Sequence, residues 1–156
     1  MVKLVDRATY SRSLSAEELA AWRAFLRAHR TVLAGLSADL EQAGELGLSE
    51  VEVLARLAQA RKTGIRLSDL AGKVMLTKSG ITRLVDRLVE TGLVRRSPCK
   101  TDGRVQYAVI TATGLERLRA ARRVHLPGVA RRFVAPLSPS ELRTLRTALE
   151  RIAGAE

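Results

Sequence analysis

Between Leu67 and Arg104 the spacing of the apolar residues switches from helical to alternating, and that switch confines the chain to few folds. Leu67, Leu70, Ala71 and Val74 stand at helical spacing and make the buried side of a short helix. Val74-Met75-Leu76 turns the chain, and Thr77 caps a second helix, its hydroxyl accepting from a free backbone N–H of the first turn. Along that second helix Ile81, Leu84, Val85 and Leu88 recur at the spacing that puts them on one face. Gly92 closes it, since glycine enters the left-handed region freely. From there Leu93-Val94-Arg95-Arg96 and Val105-Gln106-Tyr107-Ala108-Val109 read as two strands joined by residues 97–103, with Asp102-Gly103 as a turn dipeptide and Pro98 where pairing ends. Helix, tight turn, helix and hairpin is the layout of a winged helix-turn-helix.

On the second helix the solvent side holds Lys78, Ser79, Thr82, Arg83, Asp86 and Arg87, short hydroxyls and long cations with no aliphatic residue among them. Hydroxyls serve any base edge, Arg forks onto guanine O6 and N7, and Lys neutralises phosphate. A solvated amphipathic face is the bland alternative, but the hairpin that follows is itself basic, through Arg95, Arg96, Lys100 and Arg104. Such a wing lies along phosphates and can insert one Arg into a narrow minor groove. Arg104 is assigned that role, with Asp102 holding its guanidinium through a bidentate pair. The expected contacts with double-stranded DNA are therefore Thr77, Lys78, Ser79, Thr82, Arg83, Arg87, Arg95, Arg96, Lys100, Asp102 and Arg104.

The formal charge of +11 on 156 residues agrees with a polyanionic partner, and an apolar fraction of 46% suits one soluble domain. No long apolar span, secretory h-region or lipidation signal is present, so no membrane partner and a cytoplasmic location are expected. One cysteine and two histidines cannot close a structural zinc site within one chain. No nucleophile with a base, paired carboxylates or phosphate-cradling glycine loop is assembled, so neither enzyme chemistry nor a cofactor is expected.

On either side of the winged element, taken as residues 49–110, lie helical regions at 14–44 and 111–156. Met1 to Ser13 has no periodicity and reads as a loose or partner-embracing arm. Capping boxes at Ser15/Glu18, Ser49/Glu52, Thr113/Glu116 and Ser138/Glu141 start four helices, the last with Pro139 at its first position. Trp22, Phe25, Leu26, His29, Leu33, Leu36 and Leu40 stripe the first, and Gly44 and Gly47 stop it. Ile65-Arg66 adds a short third strand. The terminal helices, which are expected to meet, carry more apolar residues than one small monomer needs, so they are expected to pair with a second copy. Two-fold symmetry then sets half-sites about 10 bp apart, giving an inverted-repeat operator. The expected fold is mainly α with a small β-hairpin wing, one domain over residues 1–156.

Asp69-Leu70-Ala71, the run from Thr77 to Leu88, Gly92-Leu93-Val94-Arg95-Arg96, Asp102-Gly103-Arg104 and Ile110-Thr111-Ala112-Thr113-Gly114 together resemble successive signature segments of the MarR (multiple-antibiotic-resistance regulator) family, in the family's order and spacing. The resemblance implies a bacterial or archaeal homodimeric transcription factor, usually a repressor, that leaves its operator when a small ligand binds or a thiol is oxidised. One departure from the family's long helix is Pro127-Gly128, for which a kink or break near Leu126 is expected.

His29 and His125 are candidates for lining a ligand cleft between the dimer helices and the winged element, against the alternative of a packed or solvated histidine; Trp22, Phe25 and Phe133 read as core before pocket, though a flat ligand would touch one of these few aromatics. Cys99, in the wing connection, reads as an incidental loop thiol rather than a redox sensor. A competing function class is an interaction module whose basic wing docks on an acidic protein. A reader of DNA prefers one sequence over random DNA by powers of ten, whereas an acidic-surface binder does not.

Overall fold

The computed structural model describes residues 13–71, 78–98 and 106–154. Helix α1 (Ala16–Gln42) begins as its capping box dictates: the Ser15 N–H donates to Glu18 Oε2 at 2.8 Å, and the Glu18 N–H donates to Ser15 Oγ at 3.2 Å. It ends just before Gly44, whose φ of 64° turns the chain away. Helix α2 (Leu48–Gln59) starts two residues earlier than the Ser49 box predicts. The cap is Gly47, whose N–H donates to Glu50 at 2.8 Å, because Leu48 has to enter the helix to pack against the core.

Strand β1 (Ile65–Arg66), helix α3 (Leu67–Ala71), helix α4 (Lys78–Glu90), strand β2 (Val94–Pro98) and strand β3 (Gln106–Ile110) build the winged element. The sheet is antiparallel in the order β1-β3-β2, so the expected third strand is present. Val94 pairs with Ile110, Arg96 with Ala108 and, as the last pair, Pro98 with Gln106. Both strands run further along the chain than the alternation suggested, to Pro98 and Ile110. The expected turn at Val74-Met75-Leu76 and the Thr77 cap lie outside the described residues.

Helix α5 (Ala112–Val129) leads away from the wing. Its cap is Thr111, not Thr113. The Thr111 N–H is bonded to the Leu93 carbonyl at 3.0 Å, its hydroxyl donates to Gly92 O at 2.8 Å, and the same oxygen accepts from the Gly114 N–H at 3.0 Å. The end of the sheet therefore fixes the helix start, which the local sequence does not reveal. A Cβ on Gly114 would stand 2.1 Å from the Leu93 carbonyl oxygen, so nothing larger than glycine fits there.

The expected break at Leu126 is displaced. α5 runs through Pro127 to Val129 and passes into a π-helical turn, Ala130–Val134, where the Ala135 N–H donates to the Ala130 carbonyl at 2.8 Å. Proline removes one backbone bond from a helix interior. Here the irregularity that follows is one wide turn. Helix α6 (Pro139–Ala153) then starts at the Ser138/Glu141 capping box with Pro139 in its first turn.

The core joins helices α1 to α5 and the sheet. Leu40 from α1, Val53, Leu54 and Leu57 from α2, Leu70 from α3, Ile81, Leu84, Val85 and Leu88 from α4, Val94 and Ala108 from the sheet and Leu118 and Ala121 from α5 form one buried cluster. Each fully buried Leu or Ile contributes about 1.5–3 kcal/mol relative to exposure. The aromatic residues are not part of it: Trp22 is 54% and Phe25 45% exposed, and Phe133 is exposed too. None of the three is the core residue it was expected to be; for Trp22 and Phe25 the reason is that α1 buries residues only in its C-terminal half, at Leu36 and Leu40. α6 likewise buries no residue fully, with Ile152 80% exposed.

Candidate nucleic-acid interface

α4 divides as its sequence pattern requires. Ile81, Leu84, Val85 and Leu88 are buried, and Thr82, Arg83 and Arg87 are exposed on the opposite side. The apolar face anchors the helix, and that anchoring fixes where the polar face points. Lys78 and Ser79 lie in its first turn, where their side chains are outside the described residues. Thr77, Lys100, Asp102 and Arg104, and Cys99 with them, also lie outside the described residues.

In the wing, Arg95 and Arg96 are both exposed, but successive strand residues point to opposite faces. Arg96 shares its face with buried Val94 and turns toward α4, where its Nη2 donates to Asp86 Oδ1. Arg95 leaves from the other face, opposite Val109. The expected cationic pair is thus split into one guanidinium tied to α4 and one on the outer side of the sheet. With side chains 39% and 46% exposed, the Arg96–Asp86 pair is a surface ion pair worth about 0–1 kcal/mol. Its effect is geometric: it holds β2 against α4.

Arg66 and Tyr107, which the sequence did not single out, are cross-strand partners on β1 and β3. The Arg66 Nε donates to the Tyr107 hydroxyl at 3.0 Å, and the guanidinium carbon lies 5.8 Å from the ring centroid. They line a polar cleft of about 430 Å³ at the base of the wing together with Arg56, Gln59 and Asp69.

A larger cleft of about 840 Å³ lies between α1, α2 and α5. His29, Leu33 and Leu36 form one wall, Val51 and Arg56 a second, and His125 with Arg122 a third. The two histidines are therefore brought to one cavity. Trp22 and Phe25 are not: they continue along α1 beyond it, with ring centroids 5.9 Å apart, and Phe25 is 6.2 Å from the His29 ring. The His125 Nδ1 is buried and has no hydrogen-bond partner among the described residues. Burial, and secondarily the nearby Arg122 charge, push the imidazole pKa below its ordinary value, so it is held toward the neutral form.

Three ion pairs outside the winged element do not show in the sequence. Arg117 lies 3.6 Å from Glu45, and Asp39 on α1 receives both Arg131 and Arg132. No local pattern signals them, since each joins residues far apart in the chain. Among the described residues no group of three or more His, Cys, Asp or Glu is placed to hold a metal ion, and no helix is long and apolar enough to cross a membrane.

Residues 46–105, which span the helix-turn-helix and the wing, match the family model described as MarR family. An HTH-type transcriptional regulator of Mycobacterium bovis is 30% identical over 105 residues, covering 67% of this chain and 71% of that protein. The crystal structure of AbsC, a MarR family transcriptional regulator from Streptomyces coelicolor, is 36% identical, with a TM-score of 0.83 over 92% of this chain and 96% of that one. Another MarR family regulator of the same organism, solved in complex with DNA, is 29% identical, with a TM-score of 0.85 over 91% of this chain and 89% of its own. A buried apolar face behind an exposed Thr82/Arg83/Arg87 face, a three-stranded wing and these likenesses agree: the chain belongs to the MarR family of DNA-binding transcriptional regulators.

Proposed function

We propose that this regulator binds an inverted-repeat operator as a homodimer, represses from it in the cytoplasm, and is released when a small molecule enters the cleft between α1, α2 and α5. The observation that carries the reading is the exposed side of α4, where Thr82, Arg83 and Arg87 stand opposite the core-facing residues. Lys78, Ser79, Thr82 and Arg83 meet base edges in the major groove, and Thr77 and Arg87 the flanking phosphates. Arg95 and Lys100 neutralise phosphate from the wing, Arg96 supports the wing from Asp86, and Arg104, steadied by Asp102, enters the minor groove.

The second copy is called for by the uncovered apolar residues at both ends of the chain. Leu14, Trp22, Phe25 and Leu26 near the start, and Phe133, Val134 and Ile152 near the end, are exposed. Regions 14–44 and 111–156 thus serve as the dimerisation stem. In the cleft, Leu33, Leu36 and Val51 offer an apolar wall to the ligand, and Arg122, His29 and His125 offer polar groups that orient it.

Selection from a random DNA pool followed by sequencing tests the reading. A two-fold-symmetric site with half-site centres about 10 bp apart is the expected product. Recovery of DNA without any shared motif would contradict operator recognition. Substituting Arg104 by Ala is expected to weaken binding most on A·T-rich flanks; an equal loss on every flank would mean that Arg104 touches phosphate only.

A further inference from the structure

The segment that carries Pro127 and Gly128 crosses α1 at unusually short range. A Cβ on Gly128 would stand 2.8 Å from Leu36 Cδ2 and 3.0 Å from Asp39 Oδ2, and one on Gly35 would fall 2.1 Å from Arg132 Nε. Arg132 therefore lies on the bare backbone of Gly35 and reaches along α1 to Asp39, where its Nη1 and Nη2 fork onto the two carboxylate oxygens. Arg131 adds a third donor to Oδ2 at 2.9 Å. The fork is partly shielded, with side chains 26% and 18% exposed, so salt screens it less than an open surface pair. Both cations sit in the π-turn, a widened turn that the bond from the Ala135 N–H to the Ala130 carbonyl closes. α5 runs unbroken from this crossing to Thr111 and the sheet.

We infer that Asp39 and Arg132 are positioning residues for DNA recognition: their fork across Gly35 and Gly128 fixes the angle at which α5 leaves the stem, and so sets the half-site spacing the protein accepts. The inference rests on the proposed two-fold operator. A planar, bidentate pair defines orientation as well as distance, which one point charge does not. Leu36, which meets Gly128, also lines the large cleft, so an occupant that spreads the cleft acts on the same crossing.

The test is DNA selection with the full chain, reading the distribution of spacings between paired half-sites. It compares the native protein with Asp39→Asn, with Arg132→Lys, which keeps the charge and loses the fork, and with Glu41→Gln as an exposed neighbour. Because the readout is a ratio among bound DNA molecules, a smaller folded fraction does not change it. The native protein and Glu41→Gln are expected to favour one spacing. In Asp39→Asn and Arg132→Lys its preference over spacings one base pair longer or shorter is expected to fall about tenfold, within the range that substitutions between coupled sites produce. If Asp39→Asn does not fold, Arg132→Lys decides by the same ratio. A paired site whose spacing profile is unchanged in the folded variants overturns the inference and leaves the operator reading standing. No paired site from the native protein overturns both.

Discussion

Arg132 reaches across 93 residues of sequence to fork onto Asp39, with its Nη2 2.8 Å from Oδ1. The hydrogen bond from Arg132, with the charges of Arg132 and Arg131, holds the Asp39 carboxyl below the usual carboxylate range against the opposing effect of burial. The native chain therefore resists protonation there more than the unfolded chain does. The stabilisation is full above the ordinary aspartate pKa and is lost as pH falls through the lowered native value. Thermal melts from neutral pH downward are expected to show an acid limb that is shallower in Asp39→Asn; identical limbs would contradict the assignment.

His125 sets a second pH dependence of opposite chemical origin. Its native pKa is depressed, so as pH falls below about 6.5 the unfolded chain takes up a proton that the native chain refuses, and stability declines. Replacing His125 by Gln is expected to flatten this decline between neutral pH and the depressed value. NMR titration of the imidazole offers a direct check, and a native pKa above the ordinary histidine value would contradict the burial argument.

Asp86 ties down a cation that the DNA could otherwise use. Changing Asp86 to Ala frees Arg96, and one more phosphate-seeking guanidinium is expected to steepen the slope of log affinity against log salt by about one. Non-specific affinity should rise and the preference for operator over random DNA should fall, since β2 is no longer held to α4. Fluorescence anisotropy on both DNAs at several salt concentrations reads this; an unchanged slope with unchanged preference would show the ion pair to be idle.

Ile152 tests the proposed second copy. At 80% exposure it contributes little to the packing of a lone chain, whereas in a paired stem it becomes interior. Sedimentation of Ile152→Asp is expected to shift from dimer toward monomer while the far-ultraviolet circular dichroism stays native. By contrast, truncating Leu54 to Ala, fully buried in the winged core, is expected to cost about 2–5 kcal/mol of folding stability. Sedimentation unchanged by the charge at 152 would argue against α6 in the interface.

The sequence was most legible where structure is local. Ser15 with Glu18, and Ser138 with Glu141, satisfy each other three residues apart, and both helices begin where those pairs stand. The Ile81-Leu84-Val85-Leu88 stripe likewise placed the core side of α4, and with it the exposed Thr82, Arg83 and Arg87. Legibility fell where a distant strand or helix decides. Thr111 displaced Thr113 as the cap because the end of the sheet holds it, and Trp22 and Phe25 followed the helical stripe of α1 without a partner among the described residues to cover them. Gly128 read as a helix weakener, yet it and Gly35 each make room at the α1–α5 crossing. The Asp39–Arg132 and Asp86–Arg96 pairs were invisible because no periodicity links their positions.

In the proposed function α4 reads bases rather than merely attracting DNA, and Arg83 is its main reader. The measurement that tests it most directly is the affinity ratio between the selected operator and scrambled DNA, for the native protein and for Arg83→Ala, at two salt concentrations. The account predicts a ratio of several powers of ten that survives the higher salt. In the variant the loss should be about 1–3 kcal/mol, confined to the operator and relaxing preference at one base position. A ratio near one, or an Arg83→Ala loss equal on both DNAs, would contradict it.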